Sequence, residues 1–265
     1  MSPWLEVCRD AVTDIERVLT DLPTRVEREP IAKLGEGGDD TTAIDAAAEA
    51  VVVARLARLD ESFTLISEEL GEATFGDGRP WRVVLDPIDG SLNAKRGIPF
   101  FSLSLAVATG QTMGDVVFGY VFDFGSGEEW TATRGAGAQL NGKPLGGVRP
   151  KDEIEILSFE ATTTAEVSDK AAAVTSVAHR LRIMGSLAIS LCHLAAGRVD
   201  GVCSLKPARS VDIAAAQLLV REVGLAIDLF EAPPFEAAPL DLEGRSRVVA
   251  AGTPELCSLL AAALE

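Results

Sequence analysis

Arg82-Val83-Val84-Leu85-Asp86-Pro87-Ile88-Asp89-Gly90-Ser91 is a short apolar run that stops abruptly on two carboxylates, a proline and a glycine. A strand that delivers acidic groups from its C-terminal end is a recurrent way to build a site in layered α/β proteins. Pro87 stiffens the turn, so Asp86 and Asp89, three residues apart, can face one point. The Ile88 peptide carbonyl is free to point inward with them. Gly90 and Ser91 then start a new segment whose backbone N–H groups can hold an anion. Two further acidic signatures stand where the chain turns: residues 63–67 close on Glu68-Glu69, and Val211-Asp212 opens a helix far downstream. Such groups cannot be buried together without a cation, because desolvation and mutual repulsion would protonate some of them. An all-oxygen set without histidine suits a hard ion such as Mg²⁺.

Outward from these signatures, sheet and helix signals alternate. Residues 4–22 place Leu5, Cys8, Val12, Ile15, Leu19 and Leu22 on one helical stripe. Pro30, Gly35, Gly37 and Gly38 break the pattern over residues 25–40, which read as a mobile loop. Residues 42–59 form an Ala/Val-rich helix. Strands are expected at 100–108, 116–122 and 129–133, with Asn141-Gly142 as a hairpin turn beside them. Past residue 150 come strands at 154–159 and 181–184, a helix at 185–196, an extended run at 199–205, a helix at 212–223, and strands at 226–230 and 247–251. Thr253-Pro254 caps a last helix. The pattern predicts a layered α/β protein of two halves, residues 1–150 and 151–265, with the site between them.

The net charge of −16 argues against nucleic acid, whose phosphates would be repelled over most of the surface. No stretch approaches the ~18 uninterrupted apolar residues of a membrane span. Glu6, Asp10 and Asp14 stand where a secretion signal would be basic, so the cytoplasm is the expected location. Cys8, Cys192, Cys203 and Cys257 lie far apart and read as small apolar filler. His179 and His193 read as structural, and no G-x-S-x-G marks a nucleophilic serine. Gly135 and Gly137 read as a bent hairpin, since the third glycine of a dinucleotide loop is missing.

Taken together, Ser-Glu-Glu at 67–69, Asp-Pro-Ile-Asp-Gly-Ser at 86–91 and Val-Asp-Ile-Ala-Ala-Ala at 211–216 resemble the inositol monophosphatase family, within the lithium-sensitive, magnesium-dependent phosphatases. Asn93, Ile98-Pro99-Phe100, Gly135 to Ala138 before Asn141-Gly142, and Gly185-Ser186 agree with that pattern. The resemblance implies an αβαβα sandwich of the sugar phosphatase type, a homodimer, and hydrolysis of a phosphate monoester by metal-activated water. Glu68, Asp86 and the Ile88 carbonyl would hold one Mg²⁺; Asp86, Asp89 and Asp212 would hold a second. A third, looser ion would lean on Glu68 and the loop near Asp39, giving two to three ions per site, with Mn²⁺ as a substitute. Ser91, in the place of the usual threonine, would orient the attacking water with Asp45, while Glu69 supports the ligands from behind. Gly90, Ser91, Gly185 and Ser186 would meet the phosphate and substrate.

Arg209, three residues before Asp212, departs from the animal enzymes and resembles the archaeal branch that acts on fructose 1,6-bisphosphate as well as inositol phosphate. Arg209, helped by Lys206, would pair with a second phosphate. The alternative is a surface salt bridge. The small-molecule partner is then a sugar or cyclitol phosphate. Two other functions fit the same motifs: a nucleotide 3′-phosphatase, disfavoured by 5% aromatics, and a non-catalytic metal-binding regulator.

Overall fold

The N-terminal stripe folds as helix α1 (Pro3–Asp21), with Trp4, Val7, Cys8, Ala11, Val12 and Ile15 buried along one side. The computed structural model describes residues 3–36, 40–77, 80–146, 151–160, 163–231 and 234–265. After α1 come α2 (Arg25–Arg28), β1 (Ile31–Leu34), β2 (Asp40–Thr42), α3 (Ala43–Leu56), β3 (Phe63–Ser67), β4 (Gly71–Phe75), β5 (Trp81–Asp89) and α4 (Ser91–Arg96). Four strands follow: β6 (Ser102–Ala108), β7 (Val116–Asp123), β8 (Glu128–Thr133) and β9 (Gly137–Leu140), with β10 (Lys143–Pro144) closing the series. The remainder runs β11 (Ile154–Glu160), α5 (Thr164–Ala171), β12 (Ala178–Arg182), α6 (Leu187–Ala195), β13 (Gly201–Ser204), α7 (Ser210–Glu222), β14 (Ala226–Leu229), β15 (Val248–Ala251) and α8 (Pro254–Leu264).

Two sheets organise these elements. Eight strands run in the order β10-β9-β8-β7-β6-β5-β3-β4, and five in the order β12-β11-β13-β15-β14. Alternation along the strands assigns the faces. Val83, Leu85, Leu103, Leu105 and Val107 pack with α1 and α3, whereas Val84, Ala106 and Ala108 pack with α6 and α7. In the second sheet Val202, Val248 and Ala250 face α6 and α7, while Cys203, Val249 and Ala251 face α8. The layers are therefore α1/α3, sheet, α6/α7, sheet, α8: the expected αβαβα sandwich. Helix α7 is apolar almost all round because sheets cover it from both sides. Its alanines bring the backbone very close to the first sheet, where a Cβ on Gly119 would lie 2.5 Å from the Ala215 carbonyl oxygen.

Two sequence expectations are corrected. Residues 25–40 do not read through as a loop. Glu27 caps α2 by accepting from the Thr24 amide at 2.8 Å, and Arg28 donates to the Leu22, Ala94 and Leu19 carbonyls. The chain then forms a hairpin in which Ile31 pairs with Thr42 and Leu34 with Asp40. The glycines at 37 and 38, and Asp39, lie outside the described residues. The strand expected at 181–184 is shifted to 178–182, because parallel pairing with β11 ends at Ser158↔Arg182 and Gly185, at φ +92°, turns the chain into α6. The Asn141-Gly142 turn does join β9 to β10, both residues having positive φ. All four cysteines are buried and unbridged, and among the described residues no helix is long and apolar enough to cross a membrane.

Candidate active site

Strand pairing explains why the acidic signatures meet. β3 and β5 run parallel with Ser67 opposite Leu85, so Glu68 and Asp86 leave the same sheet edge side by side. Between Asp86 and Asp89 the pairing of β5 with β6 slips, three residues on one strand spanning what two span on the other. Pro87 has no N–H to lose there, and the bulge re-aims the carboxylates out of the pleat. Asp86 accepts from the Ile88 amide at 2.9 Å, which fixes the bend. Asp212 arrives from the first turn of α7, its carboxylate closing the helix start by accepting from the Arg209 amide at 2.7 Å.

Glu68, Asp86 and Asp212 each place a carboxylate oxygen within 4.8 Å of the others. At an effective dielectric of ~20, each ionised pair at that separation repels by about 3–4 kcal/mol. Burial, then repulsion from Asp212 and Glu69, pushes the Glu68 carboxyl up to about 8 despite Arg209 beside it. Asp86 is raised too, by burial and then by Glu68, Asp89 and Asp212. A hard divalent cation offsets these costs, so the donor set fits a Mg²⁺-type ion. Asp89 stands slightly apart. Its Oδ2 accepts from the Ser186 hydroxyl and from the Ala188 amide at 2.8 Å, tying the bulge to the start of α6. Burial nonetheless raises its carboxyl to about 7.

The pocket over this trio is lined by Asp45, Glu69, Ile88, Asp89, Gly90, Ser91, Gly185, Lys206 and Arg209, with Asp40, Glu160 and Arg245 added. Asp45 sits in the first turn of α3 and accepts from the Thr42 amide at 3.1 Å and from the Thr42 hydroxyl. Burial raises its carboxyl, partly offset by the Thr42 and Ser91 hydroxyls. Ser91 donates to the Ile88 carbonyl at 3.0 Å. Gly90 adopts φ +96°, and a Cβ there would come within 3.0 Å of the Gly185 carbonyl oxygen, so glycine is required. Glu69 is buried and accepts from the Thr41 hydroxyl, reaching the β1–β2 hairpin. Ser186 caps α6 by accepting from the Ile189 amide at 3.3 Å. Lys206 is exposed at the rim. Arg209 is 9% exposed, which rules out the surface reading; its Nη2 lies 2.6 Å from Glu68 Oε1 and 3.2 Å from Asp212 Oδ1. The third-ion reading near Asp39 falls outside the described residues.

Three residues that line or brace the site carry no local sequence signal. Glu160, at the end of β11, is buried and accepts from Ser190 (2.6 Å), Ser158 (2.9 Å) and the Gly185 amide (2.9 Å), holding the turn before α6. Arg245 is a second cation at the rim. Glu49, buried in α3, accepts from the Ser67 hydroxyl and from the Leu70 amide at 2.9 Å, so it braces the backbone on both sides of Glu68 and Glu69. Glu49→Ala is expected to cost about 1–3 kcal/mol of stability. Metal affinity, measured by calorimetry, should fall by about 10–100-fold because the ligand strand end loses its support.

A five-layer αβαβα sandwich with clustered carboxylates at a strand-end bulge, beside a glycine-initiated turn, defines a metal-assisted class of α/β protein. The chain belongs to the inositol monophosphatase family, whose model matches residues 5–265. It is 32% identical over 272 residues to a fructose-1,6-bisphosphatase/inositol-1-monophosphatase of Methanothermobacter thermautotrophicus, covering 99% of this chain and 96% of that one. It is 35% identical over 236 residues to the Nus factor SuhB of Salmonella typhimurium, covering 84% of each. Among solved structures, an inositol monophosphatase-fructose 1,6 bisphosphatase superposes with a TM-score of 0.85 at 25% identity, covering 98% of this chain and 99% of that one.

Proposed function

We propose that the protein is a magnesium-dependent phosphomonoesterase that hydrolyses fructose 1,6-bisphosphate and inositol 1-phosphate. The observation that carries this reading is the Glu68–Asp86–Asp212 trio lying in the same pocket as the Gly90–Ser91 turn. A bound divalent cation supplies a water of lowered pKa and offsets phosphate charge. The chain's own part is to hold and orient. Glu68, Asp86 and the Ile88 carbonyl would hold one cation, and Asp86, Asp89 and Asp212 would hold a second. Asp45 and Ser91 align the attacking water, with Glu69 bracing the hairpin that carries Thr42. The Gly90 and Ser91 amides would receive the phosphate and Gly185 would border the sugar, whereas Ser186, expected beside them, is buried outside the pocket with its hydroxyl on Asp89.

Similarity to relatives named for both activities supports the substrate pair. The cationic rim of Lys206 and Arg245, together with Arg209, suits a second phosphate. No aromatic residue lines the pocket among the described residues, which weighs against a nucleotide whose base would stack. The match to a Nus factor raises a non-catalytic regulatory role as the second reading. Phosphate release from both substrates with Mg²⁺ and with EDTA decides between them. Hydrolysis of either substrate only with Mg²⁺ supports the enzyme; no release from either, with Mg²⁺ present, leaves the regulatory reading. In the same assay Arg245→Ala should raise KM for the bisphosphate by about tenfold while leaving inositol 1-phosphate within twofold.

A further inference from the structure

Arg209 engages both oxygens of Asp212. Its Nη2 is 3.2 Å from Oδ1, and its backbone amide and Nε are 2.7 and 3.5 Å from Oδ2. The same Nη2 is 2.6 Å from Glu68 Oε1. Two of the three carboxylates that could hold a metal ion are thus bridged by one guanidinium nitrogen, in a setting where Arg209 is almost wholly buried. A guanidinium has five N–H donors and no lone pair, so each of these contacts takes up a lone pair that Glu68 or Asp212 could otherwise offer to a metal. A divalent ion and a guanidinium about 4 Å apart repel by roughly 8 kcal/mol at an effective dielectric of ~20. That repulsion opposes both keeping their full contacts with Glu68 and Asp212 at once.

We propose that Arg209 is an intramolecular competitor for the metal site, displaced from Glu68 and Asp212 when the cation binds and turned toward the substrate's phosphate. The pocket's remaining carboxylates are Asp40, Asp45, Glu69 and Glu160, of which the last three already accept from hydroxyl groups. Lys206 and Arg245 at the rim repel the guanidinium, and the incoming phosphate attracts it. Metal and a phosphorylated ligand therefore bind with positive coupling, since each removes the cost of moving Arg209 for the other. The residue lowers metal affinity in the absence of substrate and recovers that loss when substrate is present. The inference rests on the metal-site reading above and goes beyond it, because that reading would hold with any residue at position 209.

Two measurements on the full-length protein test it. Mg²⁺ affinity is measured by calorimetry for wild type, Arg209→Met and Arg209→Gln, alone and with inorganic phosphate. Both variants should bind Mg²⁺ about tenfold more tightly than wild type when alone. Phosphate should tighten Mg²⁺ binding by several-fold in wild type and by less in either variant. In parallel, the Arg209 Nε–Hε resonance of ¹⁵N-labelled wild type, assigned by its loss in Arg209→Gln, should shift on saturation with Mg²⁺. Equal Mg²⁺ affinity in wild type and variants overturns the competition, and so does an Nε–Hε signal unmoved by saturating Mg²⁺, even where affinity differs. Absence of Mg²⁺ binding to all three proteins overturns the metal site and the competition together.

Discussion

Asp86→Asn is expected to lower Mg²⁺-dependent phosphate release by at least ~10³-fold, because a metal site supplies several kcal/mol of transition-state stabilisation and each 1.36 kcal/mol is a factor of ten. Asp86 is the deepest of the trio, 2% exposed, and its charge is opposed by burial and by three neighbouring carboxylates. The same substitution should therefore raise stability in EDTA by about 1–2 kcal/mol, since it removes a repulsion that folding has to overcome. The amide keeps the shape and an oxygen to accept from the Ile88 N–H, so the bulge survives. Denaturant midpoints and initial rates on one preparation check both halves. Loss of activity with loss of stability would mean that Asp86 is mainly a structural prop.

Gly119→Val is expected to be the most damaging substitution outside the pocket. A Cβ at this position would meet the Ala215 carbonyl oxygen at 2.5 Å, with the Ala215 carbonyl carbon at 3.2 Å, and backbone cannot yield as a flexible side chain does. Helix α7 would have to lift from β7, opening the packing on which Asp212 depends. Overpacking of this kind costs about 3 kcal/mol or more, enough to remove much of the stability of an ordinary domain. A urea melt should show a lower midpoint, or soluble protein should be lost. An unchanged midpoint would show that the helix–sheet distance is not fixed by Gly119.

The site was legible in the sequence where one short segment fixes both chemistry and geometry. Asp86-Pro87-Ile88-Asp89-Gly90 contains its own bulge, turn and left-handed glycine, so its strand end could be read without knowing the neighbours. The layered order was legible because the pattern changes sharply between strands such as β5 and the largely apolar α7. Glu49, Glu160 and Arg245 were not, since each acts on backbone or space supplied by segments far away in the chain. Glu49 in particular reads as one of the charges on an ordinary helix until Ser67 and Leu70 are beside it. The β1–β2 hairpin was hidden because a glycine-rich stretch such as that from Gly35 marks a turn as readily as a loop in sequence. Arg209 was legible as a cation near the site, but its partners come from just beyond the end of β3 and from its own helix, a juxtaposition that only the fold creates.

The most direct test of the metal-centre assignment is an anomalous-scattering map of crystals grown with Mn²⁺ in place of Mg²⁺. The expected result is a peak bounded by the carboxylates of Glu68, Asp86 and Asp212. No peak at that position, in crystals of protein shown to be active with Mn²⁺, would contradict the assignment.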